Sequence, residues 1–219
     1  MLTQRRFLLA VLGALASLGS ASAGRAFTVD MDATRFVGAD LSVHIFMDDA
    51  GGNISVTLTV NDGLGDLRGF FLNIDDFSLL AGLQVTGDDV TGFEYDDDGV
   101  INLGGANNLN GNGSPCPCDI GVSIGTPGAG GKNEISTTTF VLDATGSLSL
   151  EHFAHQLAGV RVLSVKGFDG PNGSAKLAGT IPVPIPEPST AALLVLGLAA
   201  LRFRTRRHPF AGARLRSPT

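Results

Sequence analysis

Between residues 41 and 60 the chain alternates apolar and polar side chains with a period of two, which restricts it to half-buried β-strands. Leu41, Val43 and Ile45 are separated by polar or small neighbours, and Ile54, Val56, Leu58 and Val60 are interleaved with Ser55, Thr57 and Thr59. Successive side chains of a strand point to opposite faces, so this spacing puts one face in a core and the other in water. A helix would need its apolar residues three and four apart. Residues 67–74 are more continuously apolar, with Phe70, Phe71, Leu72 and Ile74, as expected of a central strand covered on both faces. Further strands are predicted over 83–86, 91–95, 120–124, 138–143, 160–165 and 175–181.

The intervening residues are turn formers. Asp49-Ala50-Gly51-Gly52, Asn61-Asp62-Gly63, Asp98-Gly99, Asp169-Gly170 and Asn172-Gly173 supply side chains that tolerate positive φ. One segment departs from period two. Leu150, Phe153 and Leu157 stand at helical spacing behind Ser149, a good cap, and predict a helix of one or two turns with Glu151, His152 and Gln156 facing water. Many short strands with one short helix predict an all-β fold, an antiparallel β-sandwich of jelly-roll or cohesin-like form. The stretch 104–117, rich in Gly and Asn, is expected to be a long loop, either functional or loose.

The two ends read differently. Arg5 and Arg6 precede an apolar run over 7–18, and Ala21-Ser22-Ala23 is a small-x-small site, so residues 1–23 are predicted to be a signal peptide cleaved after Ala23. Gln4 stands where a twin-arginine signal carries Ser or Thr, which favours Sec export. At the other end Pro182, Pro184, Pro186 and Pro188 alternate through a spacer over 181–190 that should be extended and hold the domain off a membrane. An apolar stretch follows over 191–201, then Arg202, Arg204, Arg206 and Arg207, with a polar tail over 208–219. As a transmembrane helix the twelve residues from Thr190 to Leu201 would rise only about 18 Å, against a hydrocarbon core of about 30 Å. A weak anchor of this kind fits a segment that is removed, and the arginines predict a cytoplasmic end.

The series Pro186-Glu187-Pro188-Ser189, apolar run and basic cluster resembles the PEP-CTERM sorting tail of Gram-negative bacterial envelope proteins. The resemblance implies an exosortase, a membrane protease and transpeptidase-like enzyme, as the partner that recognises and processes the tail. It also implies transient residence in the inner membrane, then the cell envelope or exterior, and an association with exopolysaccharide. Arg68-Gly69-Phe70-Phe71-Leu72, Val85-Thr86-Gly87, Val90-Thr91-Gly92-Phe93, Asn107-Asn108-Leu109-Asn110-Gly111 and Thr138-Thr139-Phe140 are similar to an ectodomain that recurs ahead of such tails. That likeness implies a β-rich shape and a location, and no activity.

The ectodomain is expected over residues 24–180, and its charge restricts its partners. Of 15 basic residues in the chain only Arg25, Arg35, Arg68, Lys132, Arg161, Lys166 and Lys176 lie between the two terminal signals, whereas every one of the 21 acidic residues except Glu187 does. A domain this acidic will not bind nucleic acid by neutralising phosphates. It attracts divalent cations or simply stays soluble. With no Trp and Tyr95 as the one Tyr, it lacks the aromatic platforms on which sugars stack, which leaves polar recognition open.

Calcium is the first candidate ligand. Residues 94–105 partly match an EF-hand loop, with Glu94, Asp96 and Asp98 as oxygen donors and Gly99 at the turn, but Gly105 stands where the closing Glu belongs. A site using Asp96, Asp97 and Asp98, or the pairs Asp48-Asp49 and Asp88-Asp89, would relieve the repulsion between adjacent carboxylates; the plain alternative is a solvated acidic turn. Cys116 and Cys118 are expected to be oxidised in an exported protein, as a loop staple or between molecules. A redox site would want the usual two-residue spacer and a basic neighbour. His152 and His155 could share a metal, with no third ligand evident. No nucleophile elbow or metalloprotease motif is present, so no catalytic residue is assigned and a non-enzymatic protein is expected. The alternative is a calcium- or glycan-binding module acting in adhesion.

Overall fold

The computed structural model describes residues 26–49, 52–61, 64–114, 116–126, 134–166 and 173–186. The predicted signal peptide with Ala21 and Ala23, the motif residues Glu187, Pro188 and Ser189, the expected transmembrane segment and Arg202, Arg204, Arg206 and Arg207 lie outside the described residues. Among the described residues no helix is long and apolar enough to cross a membrane.

The fold is all-β. Its strands are β1 (Phe27–Gly38), β2 (Ser42–Asp48), β3 (Ile54–Val60), β4 (Leu64–Leu72), β5 (Gln84–Thr86), β6 (Val90–Val100), β7 (Cys118–Ile124), β8 (Thr137–Asp143), β9 (Leu157–Lys166), β10 (Gly173–Thr180) and β11 (Ile185–Pro186). Two short 3-10 turns, Phe77–Leu80 and Leu150–Phe153, interrupt them. All pairings are antiparallel, in the order β5-β8-β3-β2-β1-β10-β9-β4-β7-β6, with β11 joined to β1.

A sandwich would divide these strands between two sheets; here the ladder is continuous. The reason lies in one connection. β5 and β6 stand at opposite ends of the strand order, yet only Gly87, Asp88 and Asp89 separate them in the chain. So short a link can join two edges only if the sheet curls until they meet. Val90 N–H donates to the Gly87 carbonyl at 3.1 Å to close the turn. Asp89 spans the seam: its carboxylate accepts from Thr138 Oγ1 on β8 at 2.8 Å, and its carbonyl accepts from Gly125 N–H, next to β7, at 2.8 Å. The result is a nearly closed, barrel-like sheet.

Period two then has its physical meaning. β3 alternates buried and half-buried residues along its whole length. Its partners β2 and β8 do the same on the inner face with Val43, Ile45 and Met47, and with Phe140 and Leu142. Across the interior Phe70 of β4 meets Phe140 of β8, ring centroids 5.6 Å apart. On the outer face of the same ladder Thr57 and Thr139 hydroxyls pair at 2.9 Å.

The longest strand, β1, was not among the predicted ones. Its inner residues Phe27, Val29 and Ala33 do alternate, but Asp30 and Asp32 between them are poor strand formers, so propensity hides the pattern. The predicted helix is a single 3-10 turn, Leu150–Phe153, with Ser149 Oγ accepting from Glu151 N–H as its cap. The 3-10 turn at Phe77–Leu80 has the same design: Asp76 accepts from Ser78 N–H at 3.0 Å and Ser78 Oγ at 2.6 Å, bonds that hold its carboxyl below the ordinary carboxylate range.

The described part of the stretch 101–117, all but Pro115, is packed on the sheet. It lies as a strap across the outer face of β4, β7 and β9 and buries a second, smaller core of Phe71, Val100, Leu109 and Cys118, with Phe36 and Leu103 against it. Close approach is possible because the strands carry glycine where the strap crosses. The place a Cβ would take at Gly159 is filled by Leu109 Cδ1, and that at Gly69 by the Asn107 amide. Polar ends finish the strap: Asn107 Nδ2 donates to the Arg68 carbonyl at 2.6 Å, Arg161 Nε to the Ala106 carbonyl at 3.2 Å, and Lys176 Nζ to Asn108 Oδ1 at 2.7 Å. Burial lowers the pKa of both Arg161 and Lys176.

Asp49 joins the two ends of the fold. This buried carboxylate accepts from Phe27 N–H at 2.6 Å, Leu150 N–H at 2.9 Å and Ser149 Oγ at 3.0 Å. Asp49→Ala should strand two buried amides and lower the unfolding free energy by about 3 kcal/mol, read as a lower urea midpoint. Gly159→Val should lift Leu109 out of its seat at a cost of about 1–3 kcal/mol. Amide exchange over residues 103–110 should then quicken while β2 and β3 keep their protection.

Candidate functional site

Two places combine exposed chain with built geometry, and the first is the exit of the C-terminal tail. After β10 the chain does not leave at once. Ile181 is buried, its N–H donating to the Gln156 carbonyl at 2.8 Å and its carbonyl accepting from His155 N–H at 2.9 Å. Pro184 is buried as well, and Ile185 and Pro186 pair with Thr28 and Phe27 at the start of β1. The first half of the predicted spacer is therefore part of the domain. Alternating prolines keep it extended, and an extended chain beside an open strand edge finds partners there. Phe27, the partner of Pro186, is the residue whose amide Asp49 holds. The start of β1 and the last described residue of the tail thus emerge side by side, with Glu187 next in the chain. Val183 and Ile185 stand out from this edge, 62% and 68% exposed.

The second place is a cleft of about 410 Å³ beside the strap. Arg68 lies in its wall, 5% exposed, where β4 carries a register shift between Leu67 and Gly69. Its guanidinium is paired through Nη2 with the Asp66 carboxylate, which also accepts from Ile135 N–H at 3.2 Å. Arg68 Nε and Asn107 Oδ1 are buried without a hydrogen-bond partner. Neither residue was picked out as a site from the sequence. An Asp and an Arg two apart inside an apolar strand carry the signal, since buried charges occur in pairs.

The calcium candidates do not assemble. Asp96, Asp97 and Asp98 are exposed on β6, within the irregular stretch between Tyr95 and Val100. Positive φ falls at Asp98 rather than Gly99, and Asp98 N–H donates to Asp119 Oδ1 at 2.9 Å. Asp119 is the buried member here, and its other oxygen accepts from Ile74 N–H at 2.9 Å. In the pairs Asp48-Asp49 and Asp88-Asp89 the second carboxylate is consumed by the fold, as described above. Among the described residues no three His, Cys, Asp or Glu side chains converge on one point. His152 Nδ1 faces Asp75 Oδ1 at 3.1 Å, and His155 lies past the end of the 3-10 turn with φ of 63°. Cys116 and Cys118 form a disulfide at the end of the strap, with Cys118 buried in the outer core.

No curated protein and no solved structure matches the chain. One family model does, that of the PEP-CTERM protein-sorting motif, over residues 184–207. The match begins at the buried Pro184 and so overlaps the last pairing of the sheet. It indicates an exported, membrane-passing precursor that an exosortase-type enzyme processes. The chain therefore carries a PEP-CTERM protein-sorting motif, which begins one residue before the final strand of a barrel-like β-domain.

Proposed function

We propose that this protein is a non-enzymatic component of the cell envelope or extracellular matrix, released from its membrane tail by an exosortase and held in exopolysaccharide. The observation that carries the reading is the position of the sorting motif. It starts while the chain is still paired to β1, and Pro186 is the last described residue with a ladder partner. A cut beyond Pro186 removes no described strand from the domain, so the released product keeps its whole sheet.

The use of the buried polar groups supports a structural role. Asp49, Asp66 and Asp119 are committed to backbone amides, and Asp66 to Arg68 besides. Groups so engaged hold loops and strand ends rather than poise for proton transfer. The acidic surface keeps the domain soluble and apart from anionic lipid after release.

Recognition falls to Glu187, flanked by Pro186 and Pro188, which keep the segment out of a helix and present the carboxylate on an extended chain. Mass spectrometry of the C-terminus in membrane and extracellular fractions of the host tests this. The wild-type chain should end between residues 186 and 189 outside the cell. Glu187→Ala should remain intact to Thr219 in the membrane fraction, and a normally trimmed variant would sink the proposed role of Glu187.

A further inference from the structure

We propose that the cleft beside Arg68 binds a neutral, hydroxyl-rich ligand, a sugar unit of a polysaccharide chain. This deepens the polysaccharide association proposed above and rests on it. The cleft has the volume of a small-ligand site, about 410 Å³ against a usual range of about 300–1,000 Å³. Its chemistry narrows the ligand. The one cation in its wall, Arg68, is already neutralised by Asp66, and Glu94 stands exposed on the same lining, so an anionic ligand gains little and meets a carboxylate. A cation finds only that single carboxylate, short of the six or more oxygens a hard ion wants.

A neutral polyol fits both halves of the surface. Thr91 and Ser123 bring hydroxyl oxygens to the lining, while Phe93, Leu103 and Leu163 bring apolar area for the C–H face of a ring. Arg68 Nε and Asn107 Oδ1, both without partners, sit behind that wall. A small shift of either side chain on binding would give a ligand hydroxyl a buried, unpaired group to satisfy, and such bonds are where hydroxyl selectivity comes from. Glycine lines the mouth: Gly92, opposite Ser123, has no heavy atom within 4 Å of the place its Cβ would take.

That open space supplies a variant that blocks the cleft without disturbing the fold. Full-length protein in detergent, wild type and Gly92→Trp, would be titrated calorimetrically with maltohexaose, laminarihexaose and, as the anionic probe, an alginate hexamer. The expected result is binding of a neutral hexasaccharide by the wild type and at least a tenfold loss in Gly92→Trp, at an unchanged melting temperature. Failure of both neutral sugars to bind, equal binding by the variant, or binding of alginate alone would overturn the proposal. Co-sedimentation with exopolysaccharide from the host separates the two readings. If wild type and Gly92→Trp sediment equally, the cleft is not the contact although the association stands. If the wild type stays in solution while a neutral hexasaccharide binds the cleft, the matrix association falls and the cleft survives.

Discussion

The buried carboxylate of Asp49 is the interaction on which the ends of this domain depend. It holds the first amide of β1 and the first turn after Ser149 at one point, between segments a hundred residues apart in sequence. A charge without its partners in that position would be costly, so the three donors and the carboxylate stand or fall together. Phe27 also lies opposite Pro186 in the ladder. The aspartate is thereby anchored at the residue beside which the tail runs. The start of β1 and Pro186 thus lie side by side at one edge of the sheet.

The second dependence is the closure of the sheet. Three residues link the two outermost strands, so the sheet curls, and curling carries Phe70 to Phe140 and makes one core of ten strands' inner faces. Closure also shortens the free edges, which in a secreted protein are routes to aggregation. The strap completes the cover by burying the outer face of β4, so that Phe70 and Phe71, neighbours on one strand, belong to different cores. Leu103, Gly104, Gly105 and Asn107 of the strap line the cleft together with Arg68 and Gly92.

Acidity, prominent in the composition, divides into two uses. Exposed carboxylates such as Asp96 and Asp97 leave the surface negative, and buried ones such as Asp49, Asp66 and Asp119 take the place of water for strand-end amides. In the pairs Asp48-Asp49 and Asp88-Asp89 the second carboxylate is an anchor of the fold, whereas Asp96, Asp97 and Asp98 are all exposed.

Most strands were legible, because alternation over 41–60 and the apolar run at 67–74 are local properties of the chain. The sorting signal was legible for the same reason, being an ordered series of residue types that a membrane enzyme reads linearly. β1 was obscured by aspartates whose neighbours in space, His44 among them at 3.4 Å from Asp32, come from another strand. The strap was obscured because glycines at 69 and 159 look like weak points until Asn107 and Leu109 fill them. By itself the sequence determined most of the strands, the acidic composition and the sorting motif, since each follows from side-chain chemistry within a few residues. Only the tertiary structure decided that the sheet closes, which aspartates are buried, and that Arg68 and Asn107 meet at a cleft, because those outcomes depend on contacts between residues far apart in the chain.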